Sequence, residues 1–578
     1  MKPLLASELL QDNQLGHPDL SVLTPNIDEY SVLLHQPQGD IVISAQGIKN
    51  RDAVGALASY KQLLRQAAQE YIQLVVSPEY STPWLALIES LVAGYAPPAG
   101  CLWALGCESI TLAELDQLQG ALKTAARVLP VPFDRTAAAQ KIFLDPLAYV
   151  FRTQAANGTD TVVLLIQFKT HPCVDDGHIE IANLARGENV VVFGKSGTTI
   201  KLFSFICSDV LAPNLQNLID LHDMSLVLHI QLNPKPRESA YREYRKRIFG
   251  FPGDRTELIC LNWASGVRSW SMDATQSEDW NNIGGSAWYL RPDRFDYKDD
   301  TVVRNHRRGL YYTWYDTPKC NVLFLNYEAG AYRMAATKVW HHLVSAVQAK
   351  RTGPRLEAVL RWDAATATWL SMASVQDGFE KLTSHWATHV GPLKALYAIC
   401  PIATERLLAL VKGEILHSTL WHFVRQLRSF GIEEDEHVRR ITVAQDPNVD
   451  CVTYREDHIR HFVSFQQILD TWTEWPAEFG DLGAGYDFVW EATHPNSSVR
   501  SAEGKYATLI YAGENPKIQT VKSLGDALRA ALLQLSHQAE RLGIFYREGT
   551  QVKLWRHPDA QRYDRPGNAS PKSFTDAP

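Results

Sequence analysis

Residues 28–345 read as an α/β fold of sheets covered by helices, and the later residues read as α+β. Three observations carry this. Short apolar runs of strand type recur through the first half. Stretches with helical periodicity alternate with them, the pattern of helices laid on sheets. Three of the runs end abruptly in a residue able to do chemistry. Leu74-Val75-Val76 runs into Ser77-Pro78-Glu79-Tyr80, 162–168 into Lys169-Thr170-His171, and 202–206 into Cys207-Ser208-Asp209. In α/β proteins reacting groups gather at the carboxyl ends of strands.

Taken in order, residues 1–27 form an extension before the first strand, predicted at 30–36 (YSVLLHQ). A helix over 53–71 follows, with Leu57, Tyr60, Leu64, Ala68 and Tyr71 at helical spacing. It delivers the chain to the Glu79 strand. A strand at 102–106 and a helix over 112–128 come next. Then follow the Lys169 and Cys207 strands and strand-type runs at 226–231, 258–263, 284–288 and 321–328.

A cysteine at the end of a buried strand, in a tight turn, can be held out into a cleft as a nucleophile. The N–H of the next residue, Ser208, then points at an oxyanion. A carboxylate such as Glu79 can take the thiol proton and later give it to a leaving amine, and Lys169 can stabilise the oxyanion. Taken singly, Glu79 also reads as a turn carboxylate, Lys169 as a solvated strand end and Cys207 as an inert core thiol.

The order and context of Glu79, Lys169 and Cys207 resemble the nitrilase (carbon–nitrogen hydrolase) superfamily. PEYS, QFKTHP and FICSD are similar to its glutamate, lysine and cysteine segments. The resemblance covers roughly residues 28–328. It implies an αββα sandwich and hydrolysis of a non-peptide amide or nitrile through a thioester or thioimidate. No cofactor or metal is implied, and dimers or higher homo-oligomers are. The residue after the family's cysteine is often aromatic, whereas here it is Ser208. The family's second, positioning glutamate falls in KTHPCVDDGHIE, where Asp175, Asp176 and Glu180 are candidates; Glu180 alone keeps the residue type. All three also read as loop charges. Asn233, Trp263 and Trp288 lie where strands end and are candidate pocket residues, with turn chemistry and core packing as the alternatives. His171 and His178 lack a third metal-ligand pattern.

Composition narrows the rest. A chain of 578 residues is too long for one compact domain. A net charge of −7 gives no support for nucleic acid as a partner. The eight cysteines include no CxxC pair, which argues against a zinc ribbon and a disulfide scaffold and for a reducing cytoplasm. No apolar run reaches the ~18 residues of a membrane span, and the N-terminus lacks a signal-peptide core.

Past residue 345, a helix over 336–350 and a linker at 351–354 lead into a helix-rich segment, 355–431. A charged connector at 432–440 precedes an α+β accessory domain, 440–565. It has strand-type runs at 441–443, 451–454, 488–490 and 506–511. A helix opens at Ser523 with Asp526 in a capping-box pattern and closes at Gly543. Residues 566–578, rich in Pro, Ser and Gly, read as a disordered tail. No chemistry is visible in this half. Two functions follow. One is a cytoplasmic amide or nitrile hydrolase acting on a small molecule. The other is a nitrilase-like binding or signalling component, of the kind fused to other domains in bacterial phage defence, that meets a protein partner through its C-terminal half.

Overall fold

A computed structural model describes residues 1–557 apart from 25–28, 174–178, 195–199, 213–220, 237–238, 250–255, 272, 274, 281–284, 291–300, 316–319, 338–353, 376, 387, 414–440, 444–448, 492–493, 495 and 534–540. The chain forms two compact units: Met1–Gln376 with Asp446–Asn448, and Asp377–Gln445 with Val449–Pro578.

In the first unit a nine-stranded sheet runs in the order Thr368–Met372, Arg355–Asp363, Gly330–Thr337, Glu29–Gln36, Leu74–Thr82, Leu102–Cys107, Pro146–Gln154, Asp160–Phe168 and Arg127–Pro130. An eight-stranded sheet runs Lys2–Leu5, Asn189–Phe193, Lys201–Ile206, Ser225–Ile230, Glu257–Leu261, Ala287–Leu290, Cys320–Leu325 and Leu310–Tyr315. The two sheets face each other. Gln167 donates to the Ser204 carbonyl at 3.0 Å and accepts from the Val191 N–H at 2.8 Å. The rings of Tyr149 and Phe193 meet edge to face, centroids 5.0 Å apart.

Helices Ala53–Gln69, Trp84–Val92 and Leu112–Ala121 cover the outer face of the nine-stranded sheet, sharing a core with Val75, Trp103 and Val150. Helix Ser239–Phe249 covers the other sheet, where Tyr244 packs edge-on to Phe205. The architecture is an αββα sandwich. Every residue of Leu74–Thr82 is buried, as expected of an interior strand covered on both faces. Gly106 is required beside it: a Cβ there would sit 2.2 Å from the Pro78 carbonyl oxygen, so only glycine lets the neighbouring strand pass the turn that carries Glu79.

Several expectations change. Residues 1–27 are not a detached extension, because Lys2–Leu5 pairs in parallel with Asn189–Phe193 and closes one edge of its sheet. The first unit does not end near residue 345. Strands Arg355–Asp363 and Thr368–Met372 continue the nine-stranded sheet, placing Leu360 and Ala358 in its core, so the helix-rich segment begins only after them. Ala336 belongs to a strand, not a helix. Helix Ala53–Gln69 buries Tyr60, Leu63, Leu64 and Ala67, and Tyr71 lies beyond its end, exposed.

The second unit has a five-stranded sheet ordered Tyr486–Phe488, Val499–Ser501, Tyr506–Glu514, Leu542–Glu548 and Gln551–Arg556. Helices Gly391–Ile399, Pro401–Val411, Val449–Thr471 and Ile518–Leu533 accompany it. Residues 441–443 form a 3-10 turn, and 451–454 lie within a helix rather than in strands. Ser523 sits inside its helix, and Gly543 lies in a strand where a Cβ would crowd Leu509 and Leu554. The expected linker at 351–353, the connector at 432–440 and the tail at 566–578 lie outside the described residues. Among the described residues no helix is long and apolar enough to cross a membrane.

Candidate active site

The strand Leu74–Thr82 and the ends of Asp160–Phe168 and Lys201–Ile206 bring Glu79, Lys169 and Cys207 into one buried region. Lys169 leaves the end of Asp160–Phe168, and its Nζ donates to Glu79 Oε1 at 2.7 Å. It also contacts both oxygens of Glu180, at 2.9 and 2.8 Å, and lies 3.6 Å from Asp145 Oδ2. All four side chains are at most 1% exposed. One oxygen from each of the three carboxylates lies within 4.8 Å of the others. The ammonium thus stands where a cation would neutralise the cluster.

The carboxylates have fixed partners. Glu79 Oε2 accepts from the Leu232 N–H at 2.6 Å. Glu180 accepts from the Tyr80 hydroxyl at 2.8 Å and from the Cys173 N–H at 2.7 Å. Tyr80 adopts φ +57°, a strained value for a non-glycine residue. Neither oxygen of Asp145 has a hydrogen-bond partner among the described residues.

Burial sets the protonation. It pushes the Glu79 carboxyl above its ordinary range against the opposing pull of Lys169. It pushes Asp145 well above its range, and the Glu79 charge adds to this. Burial works against the Lys169 charge, but Glu180 and Glu79 outweigh it and hold the ammonium well above its usual pKa. The two carboxylates are adjacent and buried, so they titrate as a pair rather than singly.

Cys207 follows Lys201–Ile206 and opens a 3-10 turn at φ +42°. This strained turn is stabilised from several sides. Asp209 Oδ2 accepts from the Ile206 N–H at 3.1 Å, and its Oδ1 accepts from Thr170 and from the His171 N–H at 2.9 Å. Ser208 Oγ donates to the His171 carbonyl at 2.7 Å. His229 Nε2 lies 2.8 Å from the Cys207 carbonyl, and its Nδ1 lies 2.9 Å from the Gln231 amide nitrogen. The amide nitrogen can only donate, so Nε2 carries the ring proton and fixes the carbonyl. Burial holds the His229 pKa down at about 3, which keeps this tautomer neutral.

The thiol lies 3.7 Å from the Tyr241 hydroxyl. Burial pushes its pKa well up, the Glu79 charge adds, and Lys169 only partly offsets them. Desolvation outweighs the pull of Lys169, so the thiol is a neutral S–H that needs a base.

Of the expected pocket residues, Trp263 donates from its indole to the Glu79 backbone carbonyl at 2.8 Å and packs with Tyr80 and Leu232. Asn233 is bonded to Asn262 and Gln231 close to the Leu232 N–H. Trp288 is buried in its own sheet and donates to Glu257 at 3.3 Å; it has no described hydrogen bond to Glu79, Lys169 or Cys207. Asp175, Asp176 and His178 lie outside the described residues. Asp145, Tyr80, Asp209, His229 and Tyr241 went unnoticed in the sequence. Only Tyr80 and Asp209 carried a signal there, by adjacency to Glu79 and to the Cys207 turn.

No family model matches the sequence, and no curated protein matches it. Solved structures do. A CN-hydrolase superfamily protein from Xanthomonas campestris, with an arsenic adduct in its active site, is 14% identical at a TM-score of 0.26, over 44% of this chain and 83% of that one. An amidase from Nesterenkonia sp. is 14% identical at a TM-score of 0.24, over 45% and 82%. A glutamine-dependent NAD+ synthetase from Acinetobacter baumannii is 14% identical at a TM-score of 0.25, over 56% and 49%. At these identities and TM-scores the likeness decides neither activity nor substrate.

Proposed function

We propose that the first unit hydrolyses a non-peptide carbon–nitrogen bond in a small amide or nitrile, with Cys207 as nucleophile, Glu79 as general base and Lys169 as oxyanion stabiliser. The observation that carries this is the buried Lys169 bridge between Glu79 and Glu180 beside a cysteine held at positive φ. Glu79, made more basic by burial, takes the thiol proton as sulfur attacks the carbonyl carbon. Protonation removes the charge that Glu79 shared with Lys169. An ammonium N–H is then released toward the oxyanion as that charge develops, with the Ser208 N–H as the second donor. Glu180 keeps Lys169 in place throughout.

Glu79 next gives its proton to the leaving nitrogen, the C–N bond breaks, and an amine or ammonia departs to leave a thioester. Water attacks the thioester, Glu79 accepts its proton, and the acid is released with the thiol restored. A nitrile enters as a thioimidate, which adds water and loses ammonia to reach the same thioester. Intact-mass measurement after incubation with a panel of small amides and nitriles tests this. An acyl or imidate adduct that disappears in Cys207→Ala is expected; turnover without any Cys207 adduct, or retained in Cys207→Ala, would overturn it.

One observation favours a second reading. Cys207 is 4% exposed, and Glu79 and Lys169 are 1% exposed, so all three are buried. A site that stays closed suits a scaffold in a binding or signalling assembly, with the second unit meeting a protein partner. The absence of adducts across the panel selects this reading.

A further inference from the structure

A cleft of about 530 Å3 opens where the strand Glu29–Gln36 ends, between the first turn of helix Ala53–Gln69 and the hairpin formed by Arg355–Asp363 and Thr368–Met372. It contains none of Glu79, Lys169 and Cys207. Its size falls within the range of small-molecule sites, roughly 300–1,000 Å3.

Two tryptophans form one wall. Trp362 and Trp369 are direct cross-strand partners with ring centroids 5.7 Å apart. Trp369 is pinned by its indole N–H to the Ser59 carbonyl at 3.0 Å, so this wall is built before any ligand arrives. His35 stands edge-on to Trp369 at 5.4 Å and to Tyr60 at 4.6 Å. It lines the cleft yet is only 3% exposed, and its Nδ1 has no hydrogen-bond partner among the described residues.

The charge around the cleft is net negative. Asp40, Asp52 and Glu328 line it, against Arg361, which is already paired with Glu328. Asp40 uses Oδ2 for Arg51 and Trp270, and Asp52 uses Oδ1 to cap the Gly55 N–H. Each keeps its second oxygen. An anion meets like charge here. A cation meets carboxylate oxygens and two indole rings suited to cation–π contact.

We propose that this cleft is a second, non-catalytic binding site for a small organic cation, an ammonium, amidinium or guanidinium head on a compact apolar or planar body. Isothermal titration of the full chain with benzylamine, benzyl alcohol and benzoate at pH 7 tests it. Benzylammonium should bind saturably with one site per chain, at least tenfold tighter than the alcohol, and benzoate should not bind. Asp52→Ser, which removes the charge but keeps a side-chain cap, and Trp362→Leu should each weaken benzylammonium at least tenfold, while Cys207→Ala should leave it unchanged. Equal binding of the three probes, no saturable binding, or indifference to Asp52→Ser would overturn the proposal. Loss of binding in Cys207→Ala would place the probe in the catalytic site and overturn it too. Where Trp362→Leu fails to fold, Asp52→Ser decides, since Asp52 is exposed and its cap is retained.

Discussion

Asp209 holds Thr170 by two hydrogen bonds, 2.7 Å from the backbone N–H and 2.8 Å from the hydroxyl, and so joins the turn that carries Cys207 to the segment that carries Lys169. The carboxylate is fully buried and spends both oxygens on these elements. Asp209→Asn keeps the bonds of one oxygen but turns an NH2 toward the Ile206 N–H. A buried hydrogen bond to a charged group is worth about 1.5–3 kcal/mol, and we expect a loss of that order in denaturant unfolding. Asp209→Ala leaves four donors unmet and should cost more. An Asn variant as stable as wild type would mean that Asp209 does not tie the two segments.

The pH profile of kcat/KM reports the free-enzyme base. Glu79 must be ionised to take the thiol proton, and burial raises its pKa above the ordinary 4.5. Activity should therefore rise with pH along a limb lying above that value. Lys169, held above 10.5, should give no alkaline limb below that pH. A limb at or below pH 4.5 would remove Glu79 from the role of base.

Asp145 affects stability in a predictable direction. Its folded pKa lies well above its ordinary 3.8. A carboxyl with a raised folded pKa contributes stability that is fully present below the unfolded pKa and lost as pH rises through the folded one. Asp145→Asn has no such loss. The stability of the Asn variant relative to wild type should increase from pH 4 to pH 8, with Glu79 and Glu180 still pairing Lys169. Denaturant unfolding at the two pH values measures it; a difference that shrinks with pH would contradict the assignment.

The strands that carry or lead into Glu79, Lys169 and Cys207 were legible because each is largely buried and so includes a short apolar run. Glu180 could be singled out only by residue type, since it lies in the short helix Ile179–Asn183 and only the tertiary fold brings it to Lys169. Asp145 had no signal: an Asp before a proline reads as turn chemistry, and only the pairing of Pro146–Gln154 with Asp160–Phe168 brings it to Lys169. The edge strands Lys2–Leu5 and Thr368–Met372 are short and largely exposed, so they lack the apolar pattern that marks interior strands. The helix expected to open at Ser523 illustrates the opposite error. A local capping-box pattern matched, but the chain was already helical from Ile518, and in a helix interior the same residues are simply exposed.

Tyr241 should set the reactivity of the thiol. Its hydroxyl lies 3.7 Å from Cys207 Sγ, on a helix packed over the Cys207 sheet. Burial, reinforced by the charge of Cys207, raises the phenol pKa, so the hydroxyl keeps its proton across the working range and can donate to a thiolate. The thiol pKa is itself raised by burial, so any donor to the thiolate offsets part of that cost. One hydrogen bond to a charged group contributes about 1.5 kcal/mol, close to one pKa unit. Tyr241→Phe removes the donor and leaves the ring. We expect its iodoacetamide labelling rate at Cys207 to fall about tenfold at neutral pH, and the pH midpoint of labelling to move up by about one unit, with the fold unchanged by circular dichroism. The shift in midpoint separates this role from simple packing, because a loosened site would label faster at every pH. A midpoint that stays in place would show that the Tyr241 hydroxyl does not stabilise the thiolate.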